Sequence, residues 1–157
     1  MKRALTVCSL LVLAGCTREI EGPPDAAPYT DVSAGGDHTC GVVTTGDIYC
    51  WGGNTNGQLG NRSNSSSIEP VRVATRRAFT SVSAGDKHTC PVTIEGEAYC
   101  WGWNRYGQLG HGTTTDINEP FPVVTQTRLT SISSGMAHSC AVDESGRVLC
   151  WGTNEQG

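Results

Sequence analysis

The sequence has 157 residues and a formal net charge of −4, with 20 glycines, 8 cysteines and only 6% aromatic residues. This acidic balance argues against binding of nucleic acid, for which a basic face is the expected electrostatic footprint. No twelve-residue stretch after the N-terminus carries an apolar helical period, so the composition favours a turn-rich all-β protein.

Residues 1–15 have the pattern of a lipoprotein signal peptide. Lys2 and Arg3 precede an apolar run, Ala4–Ala14, that is too short to span a bilayer. The run leads into Leu-Ala-Gly-Cys, which resembles a bacterial lipoprotein box, so we expect cleavage before Cys16 and acylation of that residue. Several acyl chains on one residue give stable anchoring to a lipid bilayer. An ordinary secretory leader with an incidental cysteine is the alternative.

The residue after the lipobox and the segment beyond it complete the predicted export signal. Thr17 stands where an inner-membrane retention signal usually has Asp, so the resemblance implies the outer membrane or cell surface of a bacterium. Residues 16–28 are then the lipidated cysteine and a flexible tether, rich in proline and acidic residues.

The rest of the chain, residues 29–157, repeats with a period of fifty residues. The stretch HTCGVVTTGDIYCWGGNTNGQLG at 38–60 returns at 88–110 and begins again at 138. A fixed period of this length indicates a solenoid, propeller or array. We expect repeats at about 31–80 and 81–130, and an incomplete third repeat at 131–157.

Each repeat is predicted to form four antiparallel strands. In the second repeat, alternating apolar and polar residues predict strands at Phe79–Ala84, His88–Thr93 and Glu97–Trp101. A glycine between the second and third strands suits a three-residue hairpin loop with a bulge. Pro120–Val124, like Pro70–Ala74 in the first repeat, is predicted to be the fourth strand, with prolines at its edge.

The hairpin register can be tested on the cysteines. A three-residue loop closed by Val43 and Asp47 places Cys40 opposite Cys50. The same face then carries aliphatic residues in every copy, as a buried face requires. Since each repeat is expected to satisfy itself, we predict the disulfides Cys40–Cys50, Cys90–Cys100 and Cys140–Cys150.

Two ligand-binding interpretations of the repeat compete with a structural one. A histidine and two cysteines per repeat are three zinc ligands, but a close-spaced cysteine pair and a fourth ligand are lacking. The Gly-rich stretches 51–60 and 101–110 lack the Lys-Ser/Thr of a phosphate-binding loop. We therefore interpret these stretches as turns, in which Asn54 and Asn104 bond the backbone while Leu59 and Leu109 enter the core.

These motifs resemble the regulator of chromosome condensation repeat: Ala-Gly-x-x-His-Thr, then Trp-Gly-x-Asn-x-x-Gly-Gln-Leu-Gly. The resemblance covers Tyr29 to Gly157 and implies a β-propeller, usually of seven blades, each with four antiparallel strands. The paired cysteines and lipobox resemble an exported bacterial branch of the family. About two and a half repeats are present, and the last stops in mid-motif, so we expect a truncated, partial seven-bladed propeller. Its open blade edges are expected to promote self-association.

The leading functional prediction is a non-enzymatic, membrane-anchored extracytoplasmic scaffold that binds an unknown protein partner, without metal or cofactor. The repeated His38, His88 and His138 are interpreted as buried hydrogen-bonding residues. Positions that differ between repeats are free for recognition. The candidate partner-binding residues, all of types that dominate interfaces, are Trp103, Arg105 and Tyr106.

Two other functional hypotheses remain open at this point. An enzyme would use His111 with Asp116, or residues near the repeated histidines, but no catalytic signature can be assembled, and missing blades would have to supply the rest of the site. A purely structural envelope protein or an inactive remnant is the other alternative.

Overall fold

The computed structural model describes residues 28–155. The predicted signal peptide, Cys16, the predicted tether up to residue 27 and residues 156–157 lie outside the described residues. Eleven strands and no helix occur within the described range, so no helix there is long enough to cross a membrane. The strands are β1 (Tyr29–Ala34), β2 (His38–Val43), β3 (Ile48–Gly52), β4 (Ser67–Arg72), β5 (Phe79–Ala84), β6 (His88–Thr93), β7 (Tyr99–Gly102), β8 (Ile117–Pro122), β9 (Leu129–Ser134), β10 (His138–Asp143) and β11 (Val148–Gly152).

Consecutive strands pair into three antiparallel sheets, which we call blades 1, 2 and 3. Blade 1 has the order β1-β2-β3-β4, blade 2 the order β5-β6-β7-β8, and blade 3 comprises β9, β10 and β11. The first strands of successive blades pack side by side, β1 against β5 and β5 against β9. The predicted all-β architecture of four-stranded blades in a partial propeller is confirmed.

The hairpin at the centre of each blade has the predicted register. Cys40 is paired with Cys50, and the backbone N–H of Val43 donates to the carbonyl of Asp47 at 2.9 Å, which closes the three-residue loop. Gly46 has a φ of 83°, as a bulged hairpin loop of this kind requires. The disulfides formed are Cys40–Cys50, Cys90–Cys100 and Cys140–Cys150, as predicted.

The hydrophobic core lies between the sheets. Val42 and Ile48 of blade 1 are buried on the cysteine face of the hairpin, as predicted, and Leu59 of the following turn joins them. Phe79 and Trp101 of blade 2 pack into the same cluster. Each blade is therefore stabilised by its neighbour, since one face of a lone sheet would remain exposed to water.

The predicted bounds of the fourth strand were wrong. The strands run over Ser67–Arg72 and Ile117–Pro122, so each starts three residues and ends two residues earlier than predicted. The pairing of β4 with β3 shifts register, so that Val71 faces Cys50 while Ser67 faces Gly52. Pro70 lies inside this irregular stretch of an edge strand, where a missing N–H breaks no regular ladder.

Candidate functional site

The repeated polar residues meet at the junction between blades 1 and 2. Nε2 of His38 lies 2.8 Å from the Thr89 hydroxyl, which donates to the carbonyl of Gln58 at 2.9 Å. The indole N–H of Trp101 donates to the same Gln58 carbonyl at 2.8 Å. Because the Thr89 hydroxyl donates its single proton to the Gln58 carbonyl, it can only accept a hydrogen bond from His38. The neutral imidazole therefore carries its proton on Nε2.

The junction between blades 2 and 3 repeats this network. Nε2 of His88 lies 3.0 Å from the Ser139 hydroxyl, which donates to the carbonyl of Gln108 at 3.0 Å. The indole of Trp151 donates to that carbonyl at 2.8 Å. The prediction of buried, hydrogen-bonded histidines thus agrees with His38 and His88. It fails for His138, which is exposed because no described residue forms a further blade on that side.

Burial keeps the junction histidines neutral. It lowers the pKa of His88 to about 4, helped by the neighbouring His38 and His138. Burial also lowers the pKa of His38, but the carboxylates of Asp37 and Asp86 oppose that shift. Neutral imidazoles that donate from Nε2 have a structural role in the junctions, since the bond they make is a link between blades.

The candidate catalytic pair is occupied in shaping the loop between β7 and β8. The side-chain amide of Asn104 donates to Nε2 of His111 at 3.0 Å, and its backbone N–H donates to Asp116 at 2.8 Å. The other carboxylate oxygen of Asp116 accepts from the amide of Asn56 at 3.1 Å. In blade 1, Asn61 takes the place of His111 as the acceptor. These contacts explain both residues without a reaction.

Asn54 and Asn104 hold the long loops more firmly than a local turn requires. The Asn54 carbonyl oxygen accepts from the backbone of Leu59 at 2.9 Å, as predicted for a tight turn. Its amide group reaches further along the chain and donates to the carbonyls of Ser63 and Ser65. Both asparagines are fully buried, so each long β3–β4-type loop is a defined structure.

No metal centre is visible in the part of the chain that the structure describes. No group of three or more His, Cys, Asp or Glu side chains between residues 28 and 155 is arranged to hold a metal ion. The zinc interpretation of the repeats is wrong, because all six of their cysteines are bonded to each other as disulfides.

The predicted partner-binding residues lie together in the turn after β7. The rings of Trp103 and Tyr106 meet edge to face, with centroids 5.5 Å apart. Tyr106 is 42% exposed, and Arg105 is exposed without a hydrogen bond or ion pair to any described residue. The backbone N–H of Trp103 donates to the carbonyl of Lys87 at 2.8 Å, which brings the β5–β6 loop alongside. We call Lys87, Trp103, Arg105 and Tyr106 the blade 2 turn surface.

The polar loops beside this surface are tied to each other. Arg62 of blade 1 forms an ion pair with Glu119 of blade 2 at 2.6 Å, and the amide of Asn118 donates to Asn64 at 2.9 Å. These contacts tie the β3–β4 loop of blade 1 to the start of β8 in blade 2, and the widening of the binding surface by this region stays a prediction.

Two sequence models of the regulator of chromosome condensation (RCC1) repeat match the chain. One matches residues 45–92 and 95–142. The other matches residues 29–58, 79–108 and 129–157. The second set falls on the three blades, and each of its segments begins at the first strand of a blade.

Solved structures of similar fold include three proteins of different organisms. Human WBSCR16 has a TM-score of 0.76 and 21% identity, over 80% of this chain and 33% of that one. Yeast RCC1 (Prp20), solved bound to Kap60, has a TM-score of 0.70 and 22% identity, over 79% and 32%. The ectodomain of the Physcomitrella patens receptor kinase CR4 has a TM-score of 0.58 and 23% identity, over 83% and 31%. This chain thus spans about a third of the length of each.

Proposed function

The chain belongs to the RCC1 repeat family, and from that premise we propose that it is a non-enzymatic scaffold that binds a protein partner outside the bacterial cytoplasm. The observation that carries this proposal is the blade 2 turn surface. Trp, Arg and Tyr, the residue types that most often dominate interfaces, lie close together there, with Arg105 and Tyr106 exposed and Trp103 half-buried. At the matched positions, blade 1 has Gly53, Thr55 and Asn56.

The contrast between repeated and variable residues supports a role for this surface in recognition. His38, Thr89, Gln58 and Trp101 bond to one another across a blade junction, so their repetition is explained by the fold. The side chains at the three variable positions of the turn after each Trp-Gly differ from blade to blade and make no such shared contact. Differences in a repeat protein that leave the fold unchanged are the natural place for binding specificity.

The relatives give general support for protein binding and for export. The yeast RCC1 (Prp20) structure was solved with Kap60 bound, so a protein that contains this fold binds another protein. The moss structure is the ectodomain of a receptor kinase, so the fold also occurs outside a cell membrane. Neither the partner nor the location is carried over to this chain from these proteins.

Membrane anchoring through acylated Cys16 at the outer membrane or cell surface is the second part of the proposal. The leader and lipobox support it, and so do the three disulfides, since an oxidising compartment favours their formation. The test is the intact mass of the membrane-extracted protein, with and without reduction and alkylation. We expect a chain that begins at acylated Cys16 with three bridges. An uncleaved leader or six free thiols would overturn the export proposal.

The binding proposal is tested by photo-crosslinking in the cell. A benzoylphenylalanine replaces Tyr106, whose ring is already exposed. A matched control places the same group at Thr55, an exposed position in the corresponding turn of blade 1. We expect one discrete protein adduct from position 106 and none from position 55. Equal, diffuse labelling from both positions would contradict the scaffold and favour a purely structural envelope protein.

A further inference from the structure

Gln58 and Gln108 occupy matched positions in blades 1 and 2, but only the amide group of Gln58 has a hydrogen-bond acceptor among the described residues. In blade 1, Nε2 of Gln58 donates to a carboxylate oxygen of Asp37 at 3.0 Å. In blade 2, Gln108 is also 0% exposed, but its Nε2 has no hydrogen-bond partner among the described residues. The cause lies in the sequence, since Lys87 stands where blade 1 has Asp37, and an ammonium group has no acceptor to offer.

Positions 53 and 103 also differ between the blades, and this difference is linked sterically to the exchange of Asp37 for Lys87. A Cβ built on Gly53 would lie 2.4 Å from one carboxylate oxygen of Asp37 and 2.6 Å from its Cγ. The carboxylate of blade 1 therefore occupies room that a side chain at this position needs. Blade 2 has Trp103 there, and the carboxylate is gone. The chain thus holds two alternative pairs, a carboxylate with glycine in blade 1 and a cation with tryptophan in blade 2.

In blade 1 the carboxylate of Asp37 accepts the hydrogen bond of the Gln58 amide. In blade 2 the Gln108 amide has no such acceptor among the described residues, and the turn carries positive charge that no ion pair compensates. Lys87 and Arg105 form no ion pair with any described residue, although the chain as a whole is acidic. The nearby acids are Asp86, next to Lys87 in the chain, and Asp116, which already accepts from Asn104 and Asn56. A buried donor without an acceptor is rare in folded proteins and calls for an explanation at that site.

We infer that the blade 2 turn surface binds a carboxylate on an acidic segment of the protein partner. The inference rests on the proposed scaffold function and names the chemistry of its partner. Lys87 and Arg105 supply the positive charge, and the rings of Trp103 and Tyr106 flank the bound segment. In this complex the partner carboxylate accepts from Gln108, as Asp37 accepts from Gln58 in blade 1.

The test uses the full chain and defined peptides. A fluorescent, acetylated and amidated hexaglutamate is titrated by anisotropy against a matched hexaglutamine amide. We expect the hexaglutamate to bind more than about tenfold tighter, with an affinity that falls as salt rises. The net negative charge of the chain disfavours non-specific binding of this probe. A third peptide, hexaglutamine with a free C-terminus, distinguishes recognition of side-chain carboxylates from recognition of a C-terminal carboxylate. It binds only if an α-carboxylate is recognised.

The double variant K87D/W103G installs the blade 1 pair in blade 2. It gives Gln108 an acceptor, so we expect a melting temperature at least as high as that of the native chain, with hexaglutamate binding reduced about tenfold or more. Because stability is kept, the loss of binding reports the site itself. The variant R105T introduces the threonine of blade 1 at an exposed position. We expect it to weaken binding without changing the melting temperature.

The mirror variant D37K/G53W is the matched control. It removes the acceptor of Gln58 and should lower the melting temperature while blade 2 continues to bind hexaglutamate. Equal binding of hexaglutamate and hexaglutamine, or full binding by R105T and K87D/W103G, would overturn the inference. If Tyr106 still crosslinks a partner in that case, the scaffold proposal stands and only the carboxylate chemistry fails.

Discussion

The junctions of blade 1 with blade 2 and of blade 2 with blade 3 share their hydrogen bonds but differ in burial and in satisfaction. Trp101 of the first junction is 0% exposed, while Trp151 of the second is partly exposed. The amide of Gln58 has an acceptor and that of Gln108 does not. What the junctions share builds the propeller. The amide that lacks a hydrogen-bond acceptor among the described residues, that of Gln108, belongs to the blade 2 turn, beside the candidate binding surface. A buried donor without an acceptor lowers the stability of the fold at that place.

The largest expected difference between the junctions concerns the two tryptophans. We expect Trp101→Ala to destabilise the chain by about 3–5 kcal/mol, because it removes the largest fully buried side chain among residues 28–155 and empties the space between two sheets. Trp151→Ala should cost clearly less, since part of its ring already faces water. Urea denaturation of the full chain, followed by circular dichroism, measures both. Equal costs would contradict the ranking of the junctions by burial.

Acid should destabilise the second junction more than the first. The pKa of His88 is about 4 in the folded chain, against an ordinary value of 6.5 for histidine. Between these two pH values the unfolded chain binds a proton at this residue and the folded chain does not. The free energy of unfolding is therefore unaffected by this residue above pH 6.5 and decreases as the pH falls from 6.5 towards 4. The loss from this residue is about 3 kcal/mol, at roughly 1.4 kcal/mol for each pKa unit. The carboxylates near His38 oppose its shift, so its share should be smaller.

The measurement for this pH dependence is the urea midpoint between pH 4 and pH 8. The variant His88→Gln keeps a donor for Ser139 but cannot be protonated, and we expect it to flatten the acid limb. The matched His38→Gln should flatten it less. An acid limb that persists unchanged in His88→Gln would show that another group causes the loss.

Removal of the bridging hydroxyls has a smaller expected effect, similar at both junctions. Thr89→Val and Ser139→Ala each leave a buried imidazole N–H without an acceptor, at a cost of about 1–3 kcal/mol. The Gln58 and Gln108 carbonyls keep their indole donors. Thr89→Ser retains the hydroxyl and reproduces the second junction, so its denaturation midpoint should lie near that of the native chain. A cost equal to that of Thr89→Val would mean that the methyl group matters more than the bond.

The smallest effect compares the glutamines directly. Gln58→Met and Gln108→Met both remove an acceptor from the backbone of the preceding turn. Only the first also breaks a satisfied amide–carboxylate bond, so we expect Gln58→Met to cost about 1 kcal/mol more. Parallel urea titrations resolve this difference. The opposite order would mean that the Gln108 amide has a compensating contact in solution.

The hairpins were predictable from the sequence because their forces are local. Three residues between Val43 and Asp47 determine which residues face each other, and the alternation of side chains determines the buried face. The disulfide pairs follow from that register. The fourth strand was misplaced because a register shift around Pro70 depends on how β3 and β4 meet after a long loop, and no local pattern records it.

The candidate site was predictable only in part. The exposure of Tyr106 and Arg105 could be expected from their variability between repeats. The contact between positions 37 and 53 could not, since it depends on two loops that come together only in the folded blade. The role of Gln58 was also missed, although its identical place in two copies was a signal. The repeat pattern predicted the same burial for His138 as for His38 and His88. The burial of such a histidine depends on a neighbouring blade, which the repeat pattern alone does not show.

A single backbone carbonyl, that of Gln58 or of Gln108, receives both the hydroxyl and the indole of the following blade. Blades 1 and 2 therefore offer the same backbone acceptor to the blade that follows, and blades 2 and 3 offer the same two kinds of donor to the blade before. Insertion or deletion of a whole fifty-residue period in the gene would leave every remaining junction chemically intact. A propeller built in this way can gain or lose blades by recombination between its own repeats, while each copy diverges freely in its exposed turn.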